Sequence, residues 1–221
     1  MLVLAHRGLH RDVPENTLAA FARAVESGVD GIETDVRLSR DGQAVLFHDR
    51  LVPDGREVAD LTAAELSTAV GYPVPTLAAA LALSPSILWN LEIKAPAALP
   101  ATLAVVERLA STHRLLVSSF WHPLVEPFSR LSRGTGVECG LILANRPATF
   151  EGFAGLFPRD GRIWTAVWAY EALDPELLDQ AVALGFRSYV YGLATEDDHR
   201  RVAELPLAGV ITDRPELLSA G

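Results

Sequence analysis

The sharpest alternation of apolar and polar positions lies in residues 30–49, DGIETDVRLSRDGQAVLFHD. Ile32, Thr34, Val36 and Leu38 alternate with Glu33, Asp35 and Arg37, the period of two that sends successive side chains to opposite faces of a β-strand. Glu33 and Asp35 therefore point to the same side. Asp41-Gly42 is a tight-turn signal and Gln43 to His48 resumes a strand-like run, so the two strands are predicted to pair antiparallel. Counting outward from that turn, Arg40 faces Gln43, Leu38 faces Val45, Val36 faces Phe47, and His48 lands opposite Asp35. The expectation is that two carboxylates and an imidazole meet in one place.

The rest of the chain extends this unit into a repeating architecture. Leu2 to Gly8 reads as a short buried strand, followed by a helix capped by Asn16 or Thr17 and ended by Gly28. Residues 50–75 form a short excursion with Asp54-Gly55, a Thr62-x-x-Glu65 capping box and a helix closing at Gly71. Thr76 to Leu83 is a further helix. Ile87 to Lys94 then alternates Leu88, Asn90, Glu92 and Lys94 against Trp89, Leu91 and Ile93. Strands follow at Leu115 to Phe120, Cys139 to Leu143, Ile163 to Trp168, Ser188 to Tyr191 and Gly209 to Asp213. Helices are predicted near Leu124 to Leu131 and Ala148 to Phe157, after the Asp174-Pro175 cap and up to Gly185, after Thr195, and after Pro215.

Nine strand-like runs result, and 43–48 cannot run parallel to its predecessor. The remaining eight β-α units predict an α/β fold, a closed (β/α)₈ TIM-type barrel with an extra antiparallel strand and a short insertion after it. Functional groups of such a barrel collect at the carboxyl ends of its strands. His6, Glu33, Asp35, Glu92 and Lys94 are placed there. An open doubly wound sheet would instead carry a glycine-rich phosphate loop after the first strand, and this chain has none there.

Length and composition narrow the picture. The 221 residues, 49% of them hydrophobic, suit one domain over 1–221 with the insertion at 50–75. A formal charge of −9 disfavours nucleic acid and anionic membranes, which are held through Lys and Arg. The one cysteine, Cys139, allows no intrachain disulfide. Leu2 to Ala5 is too short for the apolar core of a signal peptide, and no stretch approaches membrane-spanning length. A soluble, cytoplasmic protein acting on a small molecule is the expectation.

Glu33, Asp35 and Glu92 projecting into one barrel mouth would repel one another unless a cation neutralised them. Oxygen-only ligands favour a hard ion, Mg²⁺ or Ca²⁺. The alternative is an ion-pair cluster without metal, with Arg7, Arg37 and Lys94 supplying the charge. His6 and His48 suit ligation, satisfied core positions or proton transfer in both directions. Arg7 and Lys94 offer charge to a small anion. His10, His113, His122 and His199 are expected at the surface. Trp121, Trp164 and Trp168 are expected to be packing residues and Phe120 a possible substrate contact. Ser118 and Ser119 lack a nucleophile-elbow setting.

In order and spacing, AHRG at Ala5 to Gly8, PENT at Pro14 to Thr17, IETDV at Ile32 to Val36, HD at His48-Asp49, NLEIK at Asn90 to Lys94, SF at Ser119-Phe120 and the GVITDRP stretch make a specific set. The sequence resembles the glycerophosphodiester phosphodiesterase family. The resemblance implies a barrel with a divalent ion at Glu33, Asp35 and Glu92, acid-base histidines at His6 and His48, and phosphate contacts from Arg7 and Lys94. It also implies hydrolysis of glycerophosphodiesters to glycerol phosphate and an alcohol, within glycerol and lipid metabolism. Tyr191 to Ala194 stands where the family usually has a Trp-Thr-Val-Asn-like run, and the excursion is short and lacks an Arg-Thr-Thr segment. Both departures touch the substrate side, so weak discrimination among head groups is expected. Two other readings are a non-catalytic barrel that binds a phosphorylated metabolite and a zinc hydrolase with His6 and His48 as ligands.

Overall fold

A computed structural model of the chain describes residues 1–131, 134–155 and 164–218. Nine strands run β1 (Leu2–His6), β2 (Gly31–Leu38), β3 (Ala44–Leu46), β4 (Leu88–Ile93), β5 (Arg114–Ser119), β6 (Glu138–Leu143), β7 (Trp164–Ala169), β8 (Arg187–Tyr191) and β9 (Gly209–Thr212) among the described residues. Eight of them pair parallel in the order β1-β9-β8-β7-β6-β5-β4-β2, and pairing of β1 with β2 closes the barrel. The ninth, β3, adds antiparallel to β2. The predicted architecture is the observed one.

Period-two alternation sorts the strand side chains into two layers. Leu4, Leu88, Leu116, Ile142, Val167 and Ile211 pack with Tyr189 inside the barrel. Ala5, Ile32, Leu91, Val117 and Ala166 point outward, where Phe21, Phe128 and Phe150 are buried against them. Phe21 belongs to α1 (Leu18–Glu26), Phe128 to α5 (His122–Leu131) and Phe150 to α6 (Phe150–Ala154), with α2 (Ala63–Val70), α3 (Leu77–Leu81) and α4 (Leu99–Leu109) between α1 and α5. The last two helices are α7 (Pro175–Ala183) and α8 (Glu196–Ala203). Burying each large apolar side chain stabilises the fold by roughly 1.5–3 kcal/mol.

Local signals set most helix ends. Thr17 caps α1, Thr62 and Glu65 form the capping box of α2, and Asp174 caps α7 ahead of Pro175. Thr195 caps α8, with Asp198 completing a second capping box. α4 fills the interval 95–113, for which the polarity pattern named no element; it buries Thr102, Val105 and Val106. The helix expected after Pro215 is a single 3₁₀ turn, Pro215–Leu217, among the described residues. The last two residues of the helix expected to reach Phe157, and Ile163 at the start of the seventh strand, lie outside the described residues.

The hairpin register differs from expectation by one residue. Val36 pairs with Leu46, Arg37 with Val45 and Leu38 with Ala44. The loop holds three residues, not two: Ser39 N–H donates to Gln43 O at 3.0 Å, Gly42 N–H donates to Ser39 O at 2.9 Å, and Gly42 takes the left-handed φ of 78°. Contacts to the excursion hold it this way, since Arg40 N–H donates to Leu61 O and Ala63 N–H to the Asp41 carboxylate. Phe47, whose N–H donates to Asp35 O at 3.0 Å, therefore stands opposite Asp35. His48 falls one residue beyond. The excursion packs Val52, Val58, Leu61, Leu66 and Val74 with Val45 and Phe47 in a small cluster of its own.

Candidate active site

β1 delivers His6 to the barrel mouth, and the chain then reverses through two left-handed residues, Arg7 at φ 55° and Gly8 at φ 82°. A Cβ on Gly8 would lie 2.7 Å from the backbone carbon of Ala20, so only glycine lets α1 come this close. Arg7 has no such freedom and stores on the order of 1–3 kcal/mol of backbone strain. Its N–H is fixed by the Glu33 carbonyl at 2.9 Å. Asn16 is also left-handed, a conformation its residue type adopts more readily. Its amide donates to Asp35 Oδ2 at 2.8 Å and accepts from Thr34 Oγ1 at 2.6 Å.

Parallel register sets Asp35 of β2 beside Glu92 of β4, and Glu33 lies one pleat below. One oxygen from each of the three lies within 4.8 Å of the others. All three are buried, with 4%, 1% and 8% exposure for Glu33, Asp35 and Glu92. The expected cations arrive unevenly. Lys94 Nζ is 3.0 Å from Asp35 and 2.7 Å from Glu92, and Arg7 Nε is 3.1 Å from Asp35 while its Nη1 binds Glu15 at 2.9 Å. Arg37 turns away and donates to the His48 carbonyl at 2.9 and 2.6 Å.

Glu33 is the member left without a cation of its own. Its Oε1 is buried with no hydrogen-bond partner among the described residues. Burial, with Asp35 and Glu92 beside it, pushes its carboxyl well above the usual range. Burial also raises Glu92, where repulsion from Asp35 works against attraction to Lys94. Burial would raise Asp35 too, yet Lys94, Arg7 and the Asn16 amide outweigh it and hold Asp35 below its usual value. An unpartnered buried carboxylate oxygen is costly and is relieved by a proton or by a cation. Three carboxylate oxygens suit a hard divalent ion, and the adjoining cavity of about 30 Å³ has room for one.

His6 and His48 stand at two neighbouring openings. His6 lines that cavity with Glu33 and Glu92, and His48 lines an adjoining cleft with Glu92 and Lys94. His6 Nδ1 is 2.8 Å from Asp213 Oδ1, and its Nε2 is 3.8 Å from Glu33. His48 Nδ1 is 2.8 Å from Asp49 Oδ1. An ionised carboxylate only accepts, so in both rings the proton sits on Nδ1 and Nε2 is left for the site. His10 Nε2 shares the same Asp213 oxygen at 3.1 Å. Burial opposes ionisation of Asp213, but hydrogen bonds and charge from His6 and His10 outweigh it and bring its carboxyl down to about 2.

The far wall of the cavity is apolar, built from Phe120, Ile142, Val167, Tyr191 and Ile211. Phe120 meets Tyr191 edge to face at 6.2 Å, and Lys94 lies 5.8 Å from the Phe120 centroid. Phe120 is thus placed where a substrate contact was expected. Trp164 and Trp168 are buried as expected, but Trp121 is 55% exposed at the rim of the cleft and is not a packing residue. Ser118 and Ser119 spend their hydroxyls on Asn90 and the Ile93 carbonyl.

The surface expectation fails for His199 and misses the partner of His10. His10 joins the mouth through Asp213, and His199 is buried at 1% exposure, bonded to the Thr195 carbonyl and Thr212 Oγ1. His199 and Val202 share the inner face of α8 three residues apart, a spacing that the surrounding charges obscure. His113 and His122 are half-buried and bind main-chain carbonyls. Asp213 lies within the GVITDRP stretch with no local signal of this contact, and Asn16 looks in sequence only like a helix cap.

Sequence and fold are shared with known proteins. The profile of the glycerophosphoryl diester phosphodiesterase family matches residues 6–125. A glycerophosphodiester phosphodiesterase of Caldanaerobacter subterraneus is 30% identical, over 98% of this chain and 96% of its own. The crystal structure of a glycerophosphodiester phosphodiesterase from Thermotoga maritima superposes with a TM-score of 0.84 at 29% identity, over 98% of this chain and 96% of that one. An Oleispira antarctica phosphodiesterase in complex with the product sn-glycerol-3-phosphate has the same fold, with a TM-score of 0.81 at 24% identity over 100% and 96% of the two chains.

Proposed function

The chain belongs to the glycerophosphoryl diester phosphodiesterase family and hydrolyses glycerophosphodiesters, and from that premise we propose that Glu33, Asp35 and Glu92 hold a divalent ion while His6 and His48 carry the protons. The observation that carries the metal reading is the buried, unpartnered Oε1 of Glu33 between two further carboxylates. Bound there, Mg²⁺ or Ca²⁺ would supply Lewis-acid polarisation of the phosphate and neutralise the trio.

The remaining work falls to the chain's own side chains. His6, with Nδ1–H held by Asp213, presents a basic Nε2 to the cavity and takes the proton of the attacking hydroxyl, the glycerol's own 2-hydroxyl. His48, its Nδ1–H held by Asp49, works from the imidazolium form and gives its Nε2 proton to the departing alcohol oxygen. In the second half the exchange reverses as water opens the cyclic phosphate. Arg7 and Lys94 orient the phosphate oxygens, which requires each to share its present carboxylate partners with substrate. The Oleispira antarctica enzyme's sn-glycerol-3-phosphate supports the glycerol phosphate half as the part that such a mouth retains.

For the alcohol, the Phe120 and Tyr191 rings and the exposed Trp121 supply aromatic surface with few hydrogen bonds, which favours broad acceptance of head groups. A panel of glycerophosphodiesters assayed with and without chelator tests both statements. Full activity in chelator would remove the metal, and one head group preferred by several orders of magnitude would remove the broad pocket. Among the described residues no helix is long and apolar enough to cross a membrane.

A further inference from the structure

A second group of ligand-type atoms lies at the same rim and is not used by the acidic trio. His6 ends β1, His10 lies in the segment leading to α1, and Asp213 follows β9 directly, so three backbone segments converge. His6 Nδ1 and His10 Nε2 lie 2.8 and 3.1 Å from one oxygen of Asp213, and the three atoms fall within 4.8 Å of one another. The side chains reach solvent, at 28% exposure for each histidine and 56% for Asp213. One carboxylate is enough to fix the tautomer of His6. The second imidazole on the same oxygen has no part in that.

The donor sets of the two groups differ in kind. Three carboxylates suit hard ions, whereas two imidazole nitrogens and one carboxylate oxygen suit borderline ions such as Zn²⁺ and Co²⁺. We propose that His6, His10 and Asp213 form a second metal site for an ion of the zinc type, and that filling it shuts the enzyme off through His6. The ion takes the Nδ1 lone pair of His6, and the ring proton moves to Nε2. Nε2 then donates a hydrogen bond but has no lone pair to accept a proton, so the base is lost. The shut-off rests on the proton-transfer reading of His6; the site itself does not.

Equilibrium dialysis of Zn²⁺ against protein kept in saturating Mg²⁺ or Ca²⁺, with Co²⁺ absorption as a spectroscopic check, tests the site. The expected result is one zinc per chain, weakened by roughly tenfold or more in His10→Ala and in Asp213→Asn. Zinc inhibition, measured against each protein's own zinc-free rate, should move to higher concentration in His10→Ala by the same factor. Zinc binding unchanged in both variants, or abolished by Glu33→Gln alone, would overturn the site and return the ion to the trio. A filled site with undiminished turnover would leave the site standing and overturn the role of His6 as base. Absence of zinc binding together with an inactive His6→Ala would overturn only this inference.

Discussion

Two clusters of charge among the described residues lie at opposite ends of the barrel, and they are built on opposite principles. At the floor, Glu138 of β6 meets Arg187 of β8 at 2.5 Å, Arg187 also donates to the Tyr189 hydroxyl at 3.2 Å, and Thr165 Oγ1 lies 3.5 Å from Glu138. One acid faces one base, with the Tyr189 and Thr165 hydroxyls beside them and Arg114 close to Tyr189. At the mouth, Glu33, Asp35 and Glu92 face Arg7 and Lys94, both cations reach Asp35, and Glu33 is left with an unpartnered oxygen. A balanced pair needs nothing further to be stable. A surplus of one sign, held in place by a neighbouring amide and a strained turn, suits a cation.

The comparison breaks most visibly in activity. Glu33→Ala, Asp35→Ala and Glu92→Ala should each abolish turnover and metal binding, with the far-ultraviolet circular dichroism retained, whereas Glu138→Gln at the floor should leave kcat near wild type. Metal content by elemental analysis beside the kinetic assay separates the two ends. A trio variant that kept both its metal and its turnover would place the ion elsewhere.

Next in size is proton transfer. His6→Ala and His48→Ala should each lower kcat on the order of 10² to 10⁴-fold, the usual worth of a positioned acid or base. Occupancy of the acidic trio should hardly change, because neither ring is asked to ligate there. If either variant lost that metal, the ring concerned would be a ligand rather than a proton carrier.

Stability should show the reverse pattern. Glu138→Ala leaves the Arg187 guanidinium, one third exposed, without its counter-charge, at a cost of about 1–3 kcal/mol discounted for that exposure. In a chain of this size that lowers Tm by roughly 2–4 °C per kcal/mol. In metal-free protein Glu33→Gln should instead hold or raise Tm, since it removes a carboxylate with no cation of its own. Thermal melts in chelator would show whether the two substitutions move in opposite directions.

How much of this was legible in the sequence depended on distance along the chain. Alternation in residues 31–38 and 88–94 placed Glu33, Asp35, Glu92 and Lys94 on inward faces, and caps at Thr62, Asp174 and Thr195 were readable because each lies within three residues of its partner. The hairpin register was not, since a three-residue loop is selected by Leu61 and Ala63, some twenty residues on. Nothing local tells His6 that Asp213 will hold it from 207 positions away. Asn16 announced a helix start and turned out to serve Asp35, because a left-handed asparagine can aim its amide backward into the barrel. His199 was hidden by the charges around it.

The smallest expected effect is the pH dependence of stability in the metal-free protein, and its sign follows from Glu33. A carboxyl whose folded pKa is raised favours folding most when protonated, so its contribution is full below the unfolded value of about 4.3 and is lost as pH rises through the folded value. Glu92 acts in the same direction. Asp35 and Asp213 are depressed, and their contribution is present above about 3.9 and lost as pH falls through their folded values, about 2 for Asp213. Stability in chelator should therefore rise from strong acid to about pH 4 and decline above it, with a slope of at most about 1.4 kcal/mol per pH unit for each group titrating. A divalent ion held by the trio would favour its ionised form, so adding Mg²⁺ or Ca²⁺ should flatten or reverse the decline. Urea unfolding at a series of pH values with and without metal measures it. A decline that persists unchanged in saturating metal would mean that the surplus charge at the mouth is neutralised by something other than the ion.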